Sequence, residues 1–117
     1  MIADWNRQPV FGGKSPLAPR VESHFSRKAL SFALKEWSLG KQTAIIEDLV
    51  KLSCPVLWVA GEHDARYVTQ AKMAIAKLPK GELWIAAKSY HRVPWEKKQA
   101  FEGRVVPVLK ESSGWEV

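Results

Sequence analysis

Two apolar runs of strand length, each stopped by polar residues and joined by one helix-length segment, restrict this chain more than any other feature. Val56-Leu57-Trp58-Val59-Ala60 runs to Gly61 and on to Glu62-His63-Asp64, and Leu83-Trp84-Ile85-Ala86-Ala87 runs to Lys88-Ser89-Tyr90-His91. An apolar run without alternation is the pattern of a strand in a parallel sheet. Between the runs, residues 67–78 set Val68, Ala71, Ile75 and Leu78 on one helical face, and Pro79-Lys80-Gly81 turns the chain. The pattern predicts a β-α-β unit with a right-handed crossover. Neighbouring parallel strands would carry Asp64 and His91 to one edge of the sheet, where open α/β folds bind ligands.

Those two residue types suit proton-transfer chemistry. A histidine acting as general base has to be held in one tautomer, and a carboxylate on its other ring nitrogen does this while stabilising the imidazolium that forms. Each residue also has a plainer reading: Asp64 as the cap of the following helix, His91 as an ordinary loop histidine. A serine nucleophile on such a scaffold stands on a G-x-S-x-G elbow, and none of the serines in the chain has those glycines. Gly12-Gly13-Lys14-Ser15 does not have the spacing of a phosphate-binding loop. His63 beside Asp64, with His91, forms no recognised metal-ligand spacing, so neither a metal nor a cofactor is expected. Glu62 and Glu96 lie near the same edge and read as solvated or helix-N-terminal acids. Trp58 and Trp84, inside the strands, read as core, whereas Trp5 is a pocket candidate.

With 117 residues, 46% of them hydrophobic, the chain fits one globular domain with a modest core. Two strands are few for a sheet that needs cover on both faces, so the chain reads as incomplete. It starts without the basic and apolar regions of a secretory signal and has no stretch long enough to span a bilayer, so a cytoplasmic location is the default. The lone Cys54 cannot form an internal disulfide and reads as a small apolar filler. The net charge of +6 comes from scattered lysines with no organised run, which argues against nucleic acid and leaves room for an anionic small molecule.

Residues 1–53 read as a cap and linker. A short helix around residues 3–7 is followed by an irregular, proline-rich connection outside the core. Ser26 caps a helix whose Ala29, Leu30, Ala33, Leu34 and Trp37 form a buried stripe, ending at Gly40. Thr43 caps a shorter helix with Ile45, Ile46, Leu49 and Leu52 facing a core. Residues 54–110 hold the β-α-β unit and a last helix, from Trp95 to about Val106, that Pro107 should kink or end. Residues 111–117 read as a frayed tail.

With acid and then histidine on strand ends, the chain resembles the C-terminal half of the α/β-hydrolase family. The resemblance narrows to the 2-succinyl-6-hydroxy-2,4-cyclohexadiene-1-carboxylate synthases of menaquinone synthesis. Asp4-Trp5-Asn6-Arg7-Gln8-Pro9-Val10-Phe11 resembles their D-W-Y-x-Q-P-V-F lid segment, and Trp37-Ser38-Leu39-Gly40-Lys41-Gln42 is similar to their S-L-G-x-Q-P stretch. Residues 59–67, V-A-G-E-H-D-A-R-Y, resemble V-A-G-E-x-D-x-K-Y, and residues 90–96 take the place of G-H-N-x-H-W-E. The resemblance implies a partial α/β-hydrolase fold made of lid helices plus the last two parallel strands and their helices, with the N-terminal half absent. It makes Asp64 the triad acid, His91 the base and Trp5 a lid residue touching substrate. Glu22 falls near the family's carboxylate-binding arginine, and nearby Arg20 is the candidate for that role. The implied reaction expels pyruvate from a cyclohexene carboxylate by proton abstraction. Asn6, Tyr90 and Arg92 stand where the family has tyrosine, glycine and asparagine. Two alternatives stay open: an ordinary esterase with the same triad, and a non-catalytic remnant or interaction module that folds by itself.

Overall fold

The computed structural model describes residues 2–13 and 20–113. Its centre is a parallel two-stranded sheet, β1 (Val56–Gly61) beside β2 (Gly81–Ala86), in register from Val56 opposite Gly81 to Gly61 opposite Ala86. The crossover helix α3 (Ala65–Lys77) packs on both strands, completing the β-α-β unit that the two apolar runs predict. Its buried face is narrower than expected. Ala71, Ala74 and Leu78 are buried, while Val68 and Ile75 are half-buried. Alanines let the helix backbone come close to the strands, and the branched side chains are left at the margin.

Burial along β1 deepens from half-buried at Val56 to fully buried at Ala60 and Gly61. The C-terminal end of the sheet is therefore the packed end. Trp58 and Trp84 are half-buried rather than enclosed, because few of the described residues cover the sheet. At Gly61 a Cβ would collide with the carbonyl oxygens of Tyr90 and Ser89. Neither is a flexible side-chain end, so a Gly61→Ala chain is expected to lose about 1–3 kcal/mol of stability, read as a lower urea midpoint.

The short helix α4 (Val93–Glu96) and the longer α5 (Lys98–Ser113) follow β2. Pro107 does not end α5. Its missing N–H leaves the Gly103 carbonyl without the usual partner, but both residues are exposed, so water can serve. The helix continues through Ser113, three residues into the stretch expected to fray, and residues 114–117 lie outside the described residues.

The first 53 residues contain α1 (Ile2–Asn6), a 3₁₀ turn at Pro9–Phe11, another at Glu22–His24, and α2 (Arg27–Glu36). Ser26 caps α2 as expected, its Oγ accepting from the Ala29 N–H at 3.2 Å. The buried stripe expected on α2 is not found: none of its residues is buried, and Phe32, Leu34 and Trp37 are 62%, 67% and 75% exposed. Amphipathic spacing shows that a face is fit for burial but not that the same chain supplies the cover. The Thr43-capped helix is likewise replaced by a 3₁₀ segment, Ile46–Lys51, entered through Ile45 with no side-chain cap. Ile46 and Leu49 are half-buried where this segment meets α3, and Ile45 is 65% exposed. The radius of gyration is 16.7 Å, well above the roughly 13 Å of a compact domain of this length.

The proline-rich connection was expected to stay outside the core, and part of it does not. Phe11 is 6% exposed, seated against the loop that follows β2.

Candidate active site

Asp64 follows β1 and stands at the N-cap position of α3, yet its side chain caps nothing. The carboxylate, 5% exposed, turns instead to His91, with Oδ2 2.6 Å from Nδ1. An ionised carboxylate can only accept, so Nδ1 carries the proton and donates it. Nε2 then holds a lone pair, and among the described residues no group hydrogen-bonds it. This is the arrangement a histidine base requires. The helix-cap reading of Asp64 is not met, since its side chain makes no cap hydrogen bond.

Backbone geometry brings the two strand ends together. The His63 N–H donates to the Ser89 carbonyl at 2.9 Å and the Glu62 N–H to the Ala86 carbonyl at 3.0 Å. Ser89 is fully buried between them. The two extra carboxylates serve the loop. Glu62 accepts from the Lys88 N–H at 2.7 Å, where Lys88 takes a φ of 51° to turn the chain. Glu96 reaches back from α4 to accept from the N–H groups of Tyr90 and Arg92 at 3.1 and 3.2 Å, which flank His91. A carboxylate reaching back to the N-cap N–H is a capping-box device, here from one residue later than usual. Glu96 is therefore a support of the histidine loop, a role that its reading as a helix-N-terminal acid only half anticipates.

A cavity of about 390 Å³ opens over the pair, lined by residues of three segments. Trp5, Gln8 and Phe11 come from the N-terminal segment, Arg66 and Tyr67 from the first turn of α3, and His91 from the loop. The His91 ring lies 4.5 Å from that of Tyr67 and 6.0 Å from that of Phe11, centroid to centroid. Trp5 lines the cavity. Arg20 does not line it. Its charge acts on Arg92 instead, whose pKa is pulled down first by burial and then by Arg20, against an upward pull from Glu96. Among the described residues, the arginine lining the cavity is Arg66. Tyr67 follows Asp64 by three residues on a helix, a spacing that places both on one side and is readable in advance. Phe11 has no such signal, because its contact spans most of the chain.

The residues that depart from the family's motifs are not scattered. Arg92 Nη2 donates to Asn6 Oδ1 at 2.7 Å, and the Tyr90 ring lies over Gly12 and 5.1 Å from that of His63. Among the described residues no group of three or more His, Cys, Asp and Glu is placed to hold a metal, and no helix is long and apolar enough to cross a membrane.

No family model matches the chain. Among curated proteins, the 2-succinyl-6-hydroxy-2,4-cyclohexadiene-1-carboxylate synthase of Photorhabdus laumondii is 29% identical over 76 residues, covering 62% of this chain and 27% of its own length. The solved structure of MenH from S. aureus shares the fold with a TM-score of 0.78 and 24% sequence identity, covering 93% of this chain and 44% of that one. The chain thus spans about a quarter of that curated relative and under half of the solved one. With its two parallel strands and crossover helix, the chain shares the fold of a part of that solved structure.

Proposed function

We propose that this chain supplies the acid and the base of a MenH-like lyase, with residues 1–53 as its cap and residues 54–110 as its share of the catalytic core. The observation that carries the reading is the 2.6 Å contact between His91 Nδ1 and a buried Asp64 carboxylate that caps no helix. In this reading His91 Nε2 takes a proton from an anionic cyclohexene carboxylate, and the electrons left behind expel pyruvate, with no cofactor. Asp64 holds the imidazole and stabilises its charged form. The likeness to a curated synthase and the open cavity lined by His91 support this reaction. A cytoplasmic setting belongs to the same reading.

No serine of the 117 residues stands on a G-x-S-x-G elbow. We assign the nucleophile and the backbone oxyanion hole to an N-terminal half of the fold carrying the rest of the sheet, without which these residues are inactive. The exposed Phe32, Leu34, Trp37, Leu39 and Ile45 are apolar surface of the kind such a half covers. The test is complementation: the chain is co-expressed with a serine-bearing α/β-hydrolase half, and pyruvate release is followed against ester cleavage. Pyruvate release by the complex alone supports the lyase, and ester cleavage without pyruvate favours the esterase. A complex that does neither, with a chain that melts cooperatively by itself, marks a non-catalytic module.

Arg66, rather than Arg20, is assigned to the substrate carboxylate. A charged hydrogen bond is worth about 1.5–3 kcal/mol, so Arg66→Gln is expected to raise KM about 10- to 100-fold in the complemented enzyme with little change in kcat. Arg20→Gln is expected to leave both unchanged.

A further inference from the structure

Arg92 follows the histidine and is only 6% exposed. A guanidinium so deep needs its donors and its charge met by neighbours. Its Cζ lies 3.7 Å from the centre of the Phe11 ring and 5.9 Å from that of Trp95, and Nη2 donates to Asn6 Oδ1 at 2.7 Å. Two of these partners belong to the N-terminal segment, 86 residues away along the chain in the case of Asn6. The same segment carries Trp5, Gln8 and Phe11 of the cavity wall, and its Val10 carbonyl accepts the His91 N–H at 3.1 Å. Arg92 itself does not line the cavity.

We propose that Arg92 is a positioning residue that clamps Asn6 and Phe11, seating residues 5–11 against His91 as a wall of the cavity. Its backbone end is fixed by Glu96 and its guanidinium end by the N-terminal segment, so one side chain ties the histidine loop to the wall that faces it. The proposal rests on the preceding section only for His91 being the base. Its test reads geometry in the free chain, so it stands or falls separately from the activity.

The test is Arg92→Lys in the 117-residue chain, which keeps the charge but loses the flat fork that stacks on Phe11 and reaches Asn6. Amide exchange and ring-to-ring nuclear Overhauser effects are measured by NMR. The His91 amide, bonded to Val10, is expected to exchange at least about tenfold faster, given the strength of a desolvated cation–π contact. The Phe11–His91 cross-peaks are expected to vanish while the β1–β2 ladder amides keep their rates. Asn6→Ala, which leaves the stack on Phe11, is expected to act in the same direction and less. Unchanged His91 exchange and cross-peaks overturn the proposal. So does equal acceleration of every amide, the mark of a merely structural residue. Where the lysine variant does not fold, Asn6→Ala decides alone on the same readouts.

Discussion

Asp64→Asn is expected to slow proton abstraction in the complemented enzyme by about 10⁴-fold while leaving the fold and the cavity in place. The reason is the tautomer. A carboxylate accepts from Nδ1–H, whereas the asparagine amide can donate to Nδ1 and so drive the proton to Nε2. Once protonated, Nε2 cannot act as a base. The effect belongs in kcat rather than KM, because the Asp64 carboxylate is buried and spent on the histidine. Pyruvate release followed in single turnovers measures it directly.

The second large effect is at His91. His91→Gln removes the base and is expected to cost about 10²- to 10⁴-fold in kcat. It also leaves the Asp64 carboxylate buried without its donor, at about 1–3 kcal/mol of stability. Because the two residues act as one unit, the double variant Asp64→Asn/His91→Gln is expected to be no slower than the worse single variant. A double variant slower by the product of the two single effects would mean that Asp64 and His91 act independently, against the 2.6 Å contact. Thermal melts of all three separate lost chemistry from lost folding.

Where the chain was readable in advance, the information was local. Each apolar run met a polar stop within a few residues, and the helix between the runs fixed their parallel pairing, so Asp64 and His91 could be placed on one rim. Tyr67 was within reach of the same reasoning. Phe11 and Arg92 were not, since a guanidinium seated on a ring near the other end of the chain leaves no periodic trace. Glu96 looked like an ordinary helix-start acid because its value lies in backbone N–H groups that sequence does not display. On α2 the stripe was real but unmatched. Apolar spacing marks a surface meant for cover, and only coordinates show whether the cover is at hand, as Trp37 at 75% exposure shows that here it is not.

The Asn6–Arg92 contact also bears on the non-catalytic alternative. Unrelated drift at the positions that depart from the family's motifs would not be expected to give a well-formed charge-assisted hydrogen bond between two of them, with the arginine stacked on Phe11. Stacked and desolvated arginine contacts of this kind reach about 2 kcal/mol or more. The pair keeps the cavity wall against the histidine.

The most direct measurement of the central claim is the tautomer of His91, read from long-range proton–nitrogen correlations of its ring at a pH where the imidazole is neutral. The native ring is expected to carry its proton on Nδ1 and leave Nε2 bare, and the Asp64→Asn ring is expected to carry it on Nε2. A native ring protonated at Nε2, or one that does not respond to the loss of the carboxylate, would contradict it.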